Sequence, residues 1–140
     1  MKKEINKVWS NTSILKKIKN PSGKAYEIKI KNPEITFEGD AGKPDFAVAY
    51  ITMYPANSVI ELKSLKEYFF QFRSERFSYE RLINVVFDDL VNVYEPARLR
   101  IVMEFNPRGG ISSKLTIDSD WAIRGGKEEF KDWMILENNW

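Results

Sequence analysis

The mostly apolar run from Phe46 to Tyr54 is the sequence feature that most constrains the fold. It is rich in β-branched and aromatic residues and is followed by Pro55, which is typical of a buried strand that ends in a turn. We expect Val59–Leu62 to extend the same sheet. A second strand is predicted just after Ala25, because Tyr26, Ile28 and Ile30 alternate with charged residues.

The segment between these strands and the segments after them complete the predicted order of elements. Residues 33–45 contain two prolines and two glycines, which favours an irregular connection. Helical spacing of apolar residues predicts helices over about Ser64–Ser74 and Ser78–Tyr94, the second with Ser78 as N-cap. Two alternating runs around Pro107-Arg108-Gly109-Gly110 predict a hairpin, and a short helix is predicted near Lys127–Ile135. This order predicts an α+β fold, with an antiparallel sheet backed by two helices on one face.

The chain of 140 residues is long enough for one domain. Residues 1–24 form a predicted basic N-terminal arm, which is solvated, packed on a neighbouring subunit or in contact with RNA. Residues 25–140 are predicted to form a single domain. With 22 basic and 20 acidic side chains, charge gives no reason to expect direct nucleic-acid binding. Since no apolar run approaches about 20 residues and no signal peptide is evident, we expect a cytoplasmic protein that does not bind membranes.

The chain has no Cys and no His. Their absence excludes disulfides, Cys/His metal sites, thiolate nucleophiles and Ser-His-Asp triads within the chain, so we expect no metal. Any chemistry must use Asp, Glu, Lys, Tyr, Ser or Arg.

Four places carry candidate functional side chains, each with a simpler structural interpretation. Asp45 precedes the apolar run, where burial would suit it to general acid work, but it could equally cap a turn. Tyr79 and Glu80 open the second helix, where Glu80 could bind paired N–H donors of a heterocycle or only complement the helix dipole. Lys63 and Lys66 share a helix face that could bind phosphate or be merely solvated. Arg108 lies between Pro107 and two glycines, where it could bind a ligand phosphate or simply be exposed in the turn.

In this order along the chain, the motifs GKPDFA (42–47), ELKSLKEYFFQFR (61–73), Glu80 and FNPRGGIS (105–112) resemble the NADPH-dependent nitrile reductases of queuosine biosynthesis, the QueF family. The resemblance covers roughly residues 30–114. Members of this family reduce 7-cyano-7-deazaguanine. The resemblance implies a tunnelling fold (T-fold), whose subunits form an oligomeric barrel with sites at subunit interfaces.

The resemblance also implies roles for individual residues. Asp45 matches the family's proton donor, and Glu80 matches the carboxylate that holds the edge of the base. Tyr79 and Glu61 are assigned with Glu80 to the heterocycle. The motif linked to NADPH matches Glu61, Lys63, Ser64 and Lys66, and Arg108 matches the arginine of PRGG. The residues assigned to the cofactor are Lys63, Ser64, Lys66 and Arg108. NADPH is therefore a possible cofactor, and the expected partners are a small heterocycle and further copies of the chain.

The family's nucleophile has no counterpart in this chain. The Cys lies seven residues before the aspartate, a position that is Glu38 here, or Gly39 if the loop contains one gap, and the family's His is Tyr79. Nitrile reduction in the family requires a thiolate that adds to the nitrile carbon and forms a thioimide. We therefore expect the ordinary thioimide route not to operate.

Three hypotheses follow. The chain could reduce the nitrile by an altered route. It could instead bind a 7-deazaguanine, purine or pterin-like heterocycle for other chemistry, with Glu38 and Asp45 as a carboxylate pair. Alternatively, it could be a non-catalytic partner subunit of a Cys-bearing homologue.

Overall fold

The computed structural model describes residues 9–39 and 42–120. The strands are β1 (Lys17–Lys19), β2 (Ile28–Glu38), β3 (Pro44–Tyr54), β4 (Ser58–Ile60), β5 (Arg98–Arg108) and β6 (Ile111–Asp118). The helices are α1 (Leu62–Phe70) and α2 (Tyr79–Tyr94), with short 3-10 turns at Thr12–Ile14 and Gln71–Ser74. The helix predicted near Lys127–Ile135 lies outside the described residues.

Strands β2, β3, β5 and β6 form one antiparallel sheet in the order β2-β3-β5-β6. Apolar side chains of both helices pack with one face of this sheet in a single buried cluster that includes Ile51, Leu65, Leu82, Leu90 and Ile101. The prediction of an α+β fold with two helices and an antiparallel sheet is confirmed. No helix in the described part of the chain is long and apolar enough to cross a membrane.

The central apolar run forms a strand, as predicted, but the helices cover only one of its faces. Ala47, Ala49, Ile51 and Met53 are at most 1% exposed, whereas Phe46, which points to the other face, is 46% exposed. Successive side chains of a strand point to opposite faces, so an apolar run need not be buried on both.

The segment predicted to be irregular belongs largely to β2 and ends in β3, so that prediction is wrong for residues 33–38, 44 and 45. A register shift between Asn32 and Ile35 accommodates Pro33 in the strand. Proline lacks the N–H that a regular ladder requires, but bulges and edge strands tolerate it, and β2 is an edge strand. Beyond the bulge, Ile35 and Phe37 are fully buried.

The helices lie close to their predicted positions. Helix α1 begins two residues earlier than predicted because Glu61, and not Ser64, caps it. The Ser78 side chain accepts a hydrogen bond from the Arg81 N–H at 3.1 Å, which confirms it as the N-cap of α2. After α2, Glu95 ends the helix with a left-handed backbone, φ 45°.

The segment near Val59 forms a strand but does not extend the main sheet. Instead, β4 pairs with β1, which belongs to the lysine-rich N-terminal segment. Ahead of β1, Leu15 is 7% exposed within the core. Residues 9–19 thus pack on their own domain.

The predicted hairpin is present as β5 and β6. Gly109 and Gly110 have φ values of 62° and 84°, which a two-residue hairpin turn requires and glycine adopts without strain. The turn places Arg108 at the same end of the sheet as the start of β3.

Candidate functional site

A cavity of about 360 Å³ lies where β2 ends, β3 begins, β5 ends and α2 starts. Antiparallel pairing of the strands brings these chain ends together, because the start of β3 lies beside the end of β2 and faces the end of β5. The cavity is lined by Gly39, Asp45, Phe77, Ser78, Tyr79, Glu80 and Arg108.

Asp45 is the buried charged group of this cavity, with an exposed fraction of 3%. Its Oδ2 accepts a hydrogen bond from the Tyr79 hydroxyl at 2.9 Å and lies 3.1 Å from Nη1 of Arg108. Its Oδ1 accepts from the Phe46 N–H at 2.9 Å. Donors from three separate elements therefore hold the carboxylate in one orientation, as a buried charge requires.

Aromatic packing fixes the ring of Tyr79. It stacks on Phe105 with a centroid separation of 4.0 Å and an interplanar angle of 9°. Phe37 meets it edge-on at 6.0 Å and 83°. Since its ring is packed against neighbours within the chain, Tyr79 contributes to the cavity chiefly through its hydroxyl on Asp45.

Glu80 lies in the first turn of α2 and is exposed at the cavity. Within residues 9–39 and 42–120, no side chain pairs with its carboxylate. A carboxylate presents two acceptor oxygens, which suits two adjacent N–H donors on a ligand.

Of the two positions that could replace the family's cysteine, Gly39 lines the cavity. A Cβ atom at Gly39 would lie 3.3 Å from Oδ2 of Asp45 and 3.9 Å from Nη1 of Arg108. Glu38 is not among the lining residues. Phe37 is paired with Asp45, and directly paired residues share a face of the sheet, so the next residue, Glu38, belongs to the opposite face. The structure does not bring Glu38 and Asp45 together as a carboxylate pair.

Glu61 and Ser64 have structural partners at the start of α1. The Glu61 carboxylate accepts from the N–H groups of Lys63 at 3.3 Å and Ser64 at 2.9 Å. The Ser64 hydroxyl donates to the Glu61 carbonyl at 2.7 Å and accepts from the Lys16 N–H at 3.0 Å. The backbone N–H of Ser64 is the main cause that lowers the pKa of Glu61.

This motif lies far from the cavity within one chain. The Lys16 carbonyl beside Ser64 accepts from the hydroxyl of Tyr94, the last residue of α2, at 2.8 Å. The cavity lies at the other end of this 16-residue helix, which is about 24 Å long. Lys63 and Lys66 are exposed at the far end, so the structure does not bring them together with Asp45, Glu80 and Arg108.

Sequence reasoning missed Phe77 and Ser78 as cavity residues. Ser78 was identified only as a helix cap, and an apolar Phe carries no signal that separates a cavity wall from core. Within the described residues, no group of three or more acidic side chains is placed to hold a metal ion.

The family model described as "QueF-like protein" matches residues 44–124. An NADPH-dependent 7-cyano-7-deazaguanine reductase of Chlorobaculum tepidum is 40% identical over 118 residues, which are 84% of this chain and 94% of that protein. The reductase of Prochlorococcus marinus is 44% identical over 102 residues, 71% of this chain and 75% of that protein. The crystal structure of the archaeosine synthase QueF-Like in the apo form aligns with a TM-score of 0.60 at 12% identity, over 70% of this chain and 95% of that chain.

The fold is thus a tunnelling fold. The chain belongs to the QueF family. The fold and the family that the motifs around Asp45, Glu80 and Arg108 predicted are therefore confirmed.

We predict that Glu61→Gln makes the protein less stable near neutral pH and equally stable in acid. Folding lowers the pKa of Glu61 below its ordinary value of 4.5. Its charge therefore stabilises α1 fully at pH values above 4.5. This contribution is lost as the pH falls through the lowered pKa. Urea unfolding of both proteins across this pH range measures the difference, with the exposed Glu67→Gln on the same helix as control. A difference that does not change with pH would contradict the capping role.

Proposed function

We propose that this chain binds a 7-deazaguanine, purine or pterin-like heterocycle in the cavity formed by Asp45, Tyr79, Glu80 and Arg108. The observation that carries the proposal is the meeting of a buried, fully oriented carboxylate with a second, accessible carboxylate in one cavity of about 360 Å³. The relatives are named 7-cyano-7-deazaguanine reductases, which supports a 7-deazaguanine-like ligand.

The two carboxylates suit different parts of such a ligand. Glu80 would accept from adjacent N–H groups on the pyrimidine-like edge. Hydrogen bonds of this kind to a charged acceptor are stronger than neutral ones. Asp45, already held by Tyr79 and Arg108, would face the substituent on the other ring and could exchange a proton with it.

Ordinary thioimide chemistry is not proposed for this chain. The lining position that faces Asp45 is Gly39, which carries no side chain, and the full sequence contains no thiol. Glu38 is turned to the opposite face, and a carboxylate is in any case a poor nucleophile toward a nitrile. We propose binding, or acid–base chemistry at Asp45, as the function of the isolated site.

A cofactor site for NADPH would depend on Lys63 and Lys66. Their ammonium groups are exposed and suit phosphate, whereas the hydroxyl of Ser64 is already paired with Lys16 and the Glu61 carbonyl. Of the four residues assigned to the cofactor, Arg108 is the one that lines the cavity. NADPH would supply hydride. Since the lysines lie at the far end of α2, a single chain cannot bring them to its own cavity, and a neighbouring subunit would have to supply them.

We therefore predict that the purified protein is a homo-oligomer with sites at subunit interfaces. Strands β2 and β6 are the edges of the described sheet, and pairing between subunits would protect them. Light scattering measures the assembly, and a monomer would contradict it.

Purification from the native host tests the alternative, in which the chain is a partner subunit of a Cys-bearing homologue. The alternative requires a second chain, whereas a homo-oligomer with its own bound ligand would argue against it.

We predict that Glu80→Gln weakens binding of 7-cyano-7-deazaguanine. A hydrogen bond to a charged group contributes about 1.5–3 kcal/mol, so the Kd should rise roughly tenfold to a hundredfold. Isothermal titration calorimetry measures the change, with guanine and a pterin as further probes. Glu67→Gln is the matched control because Glu67 is exposed and does not line the cavity. Unchanged affinity of the Glu80 variant, or no binding of any probe to the wild type, would refute the proposed site.

Restoring a thiol gives a second test. In Gly39→Cys the thiol should add across the nitrile: the C–S bond forms as one π bond of the C≡N group breaks, and the proton lost by the thiol is taken up by the nitrile nitrogen. Intact-mass spectrometry should then show one bound heterocycle, which neither the wild type nor Glu38→Cys would carry. The Cβ fits only if Asp45 moves by a few tenths of an ångström, because the gap is 3.3 Å. An adduct on Glu38→Cys alone would contradict the assignment of position 39.

A further inference from the structure

Trp9, which does not line this cavity, contacts Phe77 and Arg81, the residues that flank Ser78–Glu80 in the sequence. Its ring lies 6.0 Å from that of Phe77, at an interplanar angle of 50°. The guanidinium carbon of Arg81 lies 4.1 Å from the centre of the Trp9 ring. We propose that Trp9 is a positioning residue that holds the first turn of α2 so that Glu80 faces the cavity. This inference rests on the proposed heterocycle site.

Phe77 is the first link between Trp9 and the cavity. It is 1% exposed, lines the cavity, and meets Phe72 edge-on at 5.3 Å and 84° in addition to its contact with Trp9. Its backbone N–H donates to the carbonyl of Glu38 at 2.9 Å, directly before Gly39. A displacement of Phe77 would therefore shift two walls of the cavity together.

Arg81 is the second link. Its backbone N–H donates to the Ser78 side chain at 3.1 Å, and the N–H of Leu82 donates to the Ser78 carbonyl at 3.0 Å. These bonds close the first turn that carries Glu80. The Arg81 guanidinium over the indole of Trp9 is a cation–π contact that orients this turn from outside.

The segment that carries Trp9 is docked by contacts away from the cavity. The Ser10 hydroxyl donates to Oδ2 of Asp89 at 2.5 Å, and the same oxygen accepts from the Tyr68 hydroxyl at 2.5 Å. Burial raises the pKa of Tyr68, so this hydroxyl stays a donor. The Asn11 N–H donates to Oε1 of Gln71 at 2.6 Å. Because these contacts hold the segment, the indole can act as a fixed support for α2.

The first test is a double-mutant cycle between Trp9→Leu and Glu80→Gln, with 7-cyano-7-deazaguanine as the probe in calorimetry. If Trp9 acts through Glu80, Trp9→Leu should raise the Kd about tenfold in the wild type and change it little in the Glu80→Gln background. Trp9→Phe keeps an aromatic face for Phe77 and Arg81 and should restore most of the affinity. Ile18→Ala, in the exposed far part of the same segment, is the control and should bind as the wild type does. Additive effects of Trp9→Leu and Glu80→Gln would overturn the inference.

The second test needs no ligand. Hydrogen exchange at the amides of Arg81 and Leu82, which are bonded to Ser78, should be about tenfold faster in Trp9→Leu than in the wild type or Ile18→Ala. Amides near Tyr94, at the other end of α2, should not change. Unchanged exchange at Arg81 and Leu82 would overturn the positioning role. If the wild type binds no probe, the proposed function fails, and exchange alone decides whether Trp9 positions the turn.

Discussion

Coverage of one face of the central strand β3 by the helices determines the arrangement of the remaining elements. Ala47, Ala49, Ile51 and Met53 all point toward the helices, and their burial provides a continuous apolar surface. Helix α2 packs on this side and begins near the end of the sheet where β3 starts. The exposed N-terminal turn of a helix and the first residues of a strand therefore meet, and the cavity forms between them.

At this junction, Asp45 connects parts of the chain that are distant in sequence. Leaving a buried carboxylate without donors would cost several kcal/mol, so the contacts from Tyr79, Arg108 and Phe46 are a condition of its burial. They also limit its chemistry. A carboxylate held by these donors is an oriented acceptor, and the neighbouring Gly39 provides no nucleophile. These features are consistent with the proposed function, in which the site binds a heterocycle and exchanges a proton without covalent catalysis.

The N-terminal segment adds contacts from outside residues 44–124, the part of the chain that the family model matches. The segment crosses the helical side of the domain, with Trp9 near the start of α2 and Lys16 near its end. The same segment explains why Ser64 is buried, because the hydroxyl binds the Lys16 backbone. A motif that the family resemblance links to NADPH thus also has a role in holding the chain to itself.

The sequence by itself determined the strand at Phe46–Tyr54, both helices, the hairpin and the family. These depend on periodicity, caps and turn residues, which are local, and on motifs whose order is visible in the chain. It also identified Asp45, Tyr79, Glu80 and Arg108, but not that they meet. Only the tertiary structure decided that β2 continues past Pro33, that Glu38 and Asp45 lie on opposite faces, and that Lys63 and Lys66 are far from the cavity. Strand register and helix packing set these distances, and both depend on contacts between residues far apart in sequence.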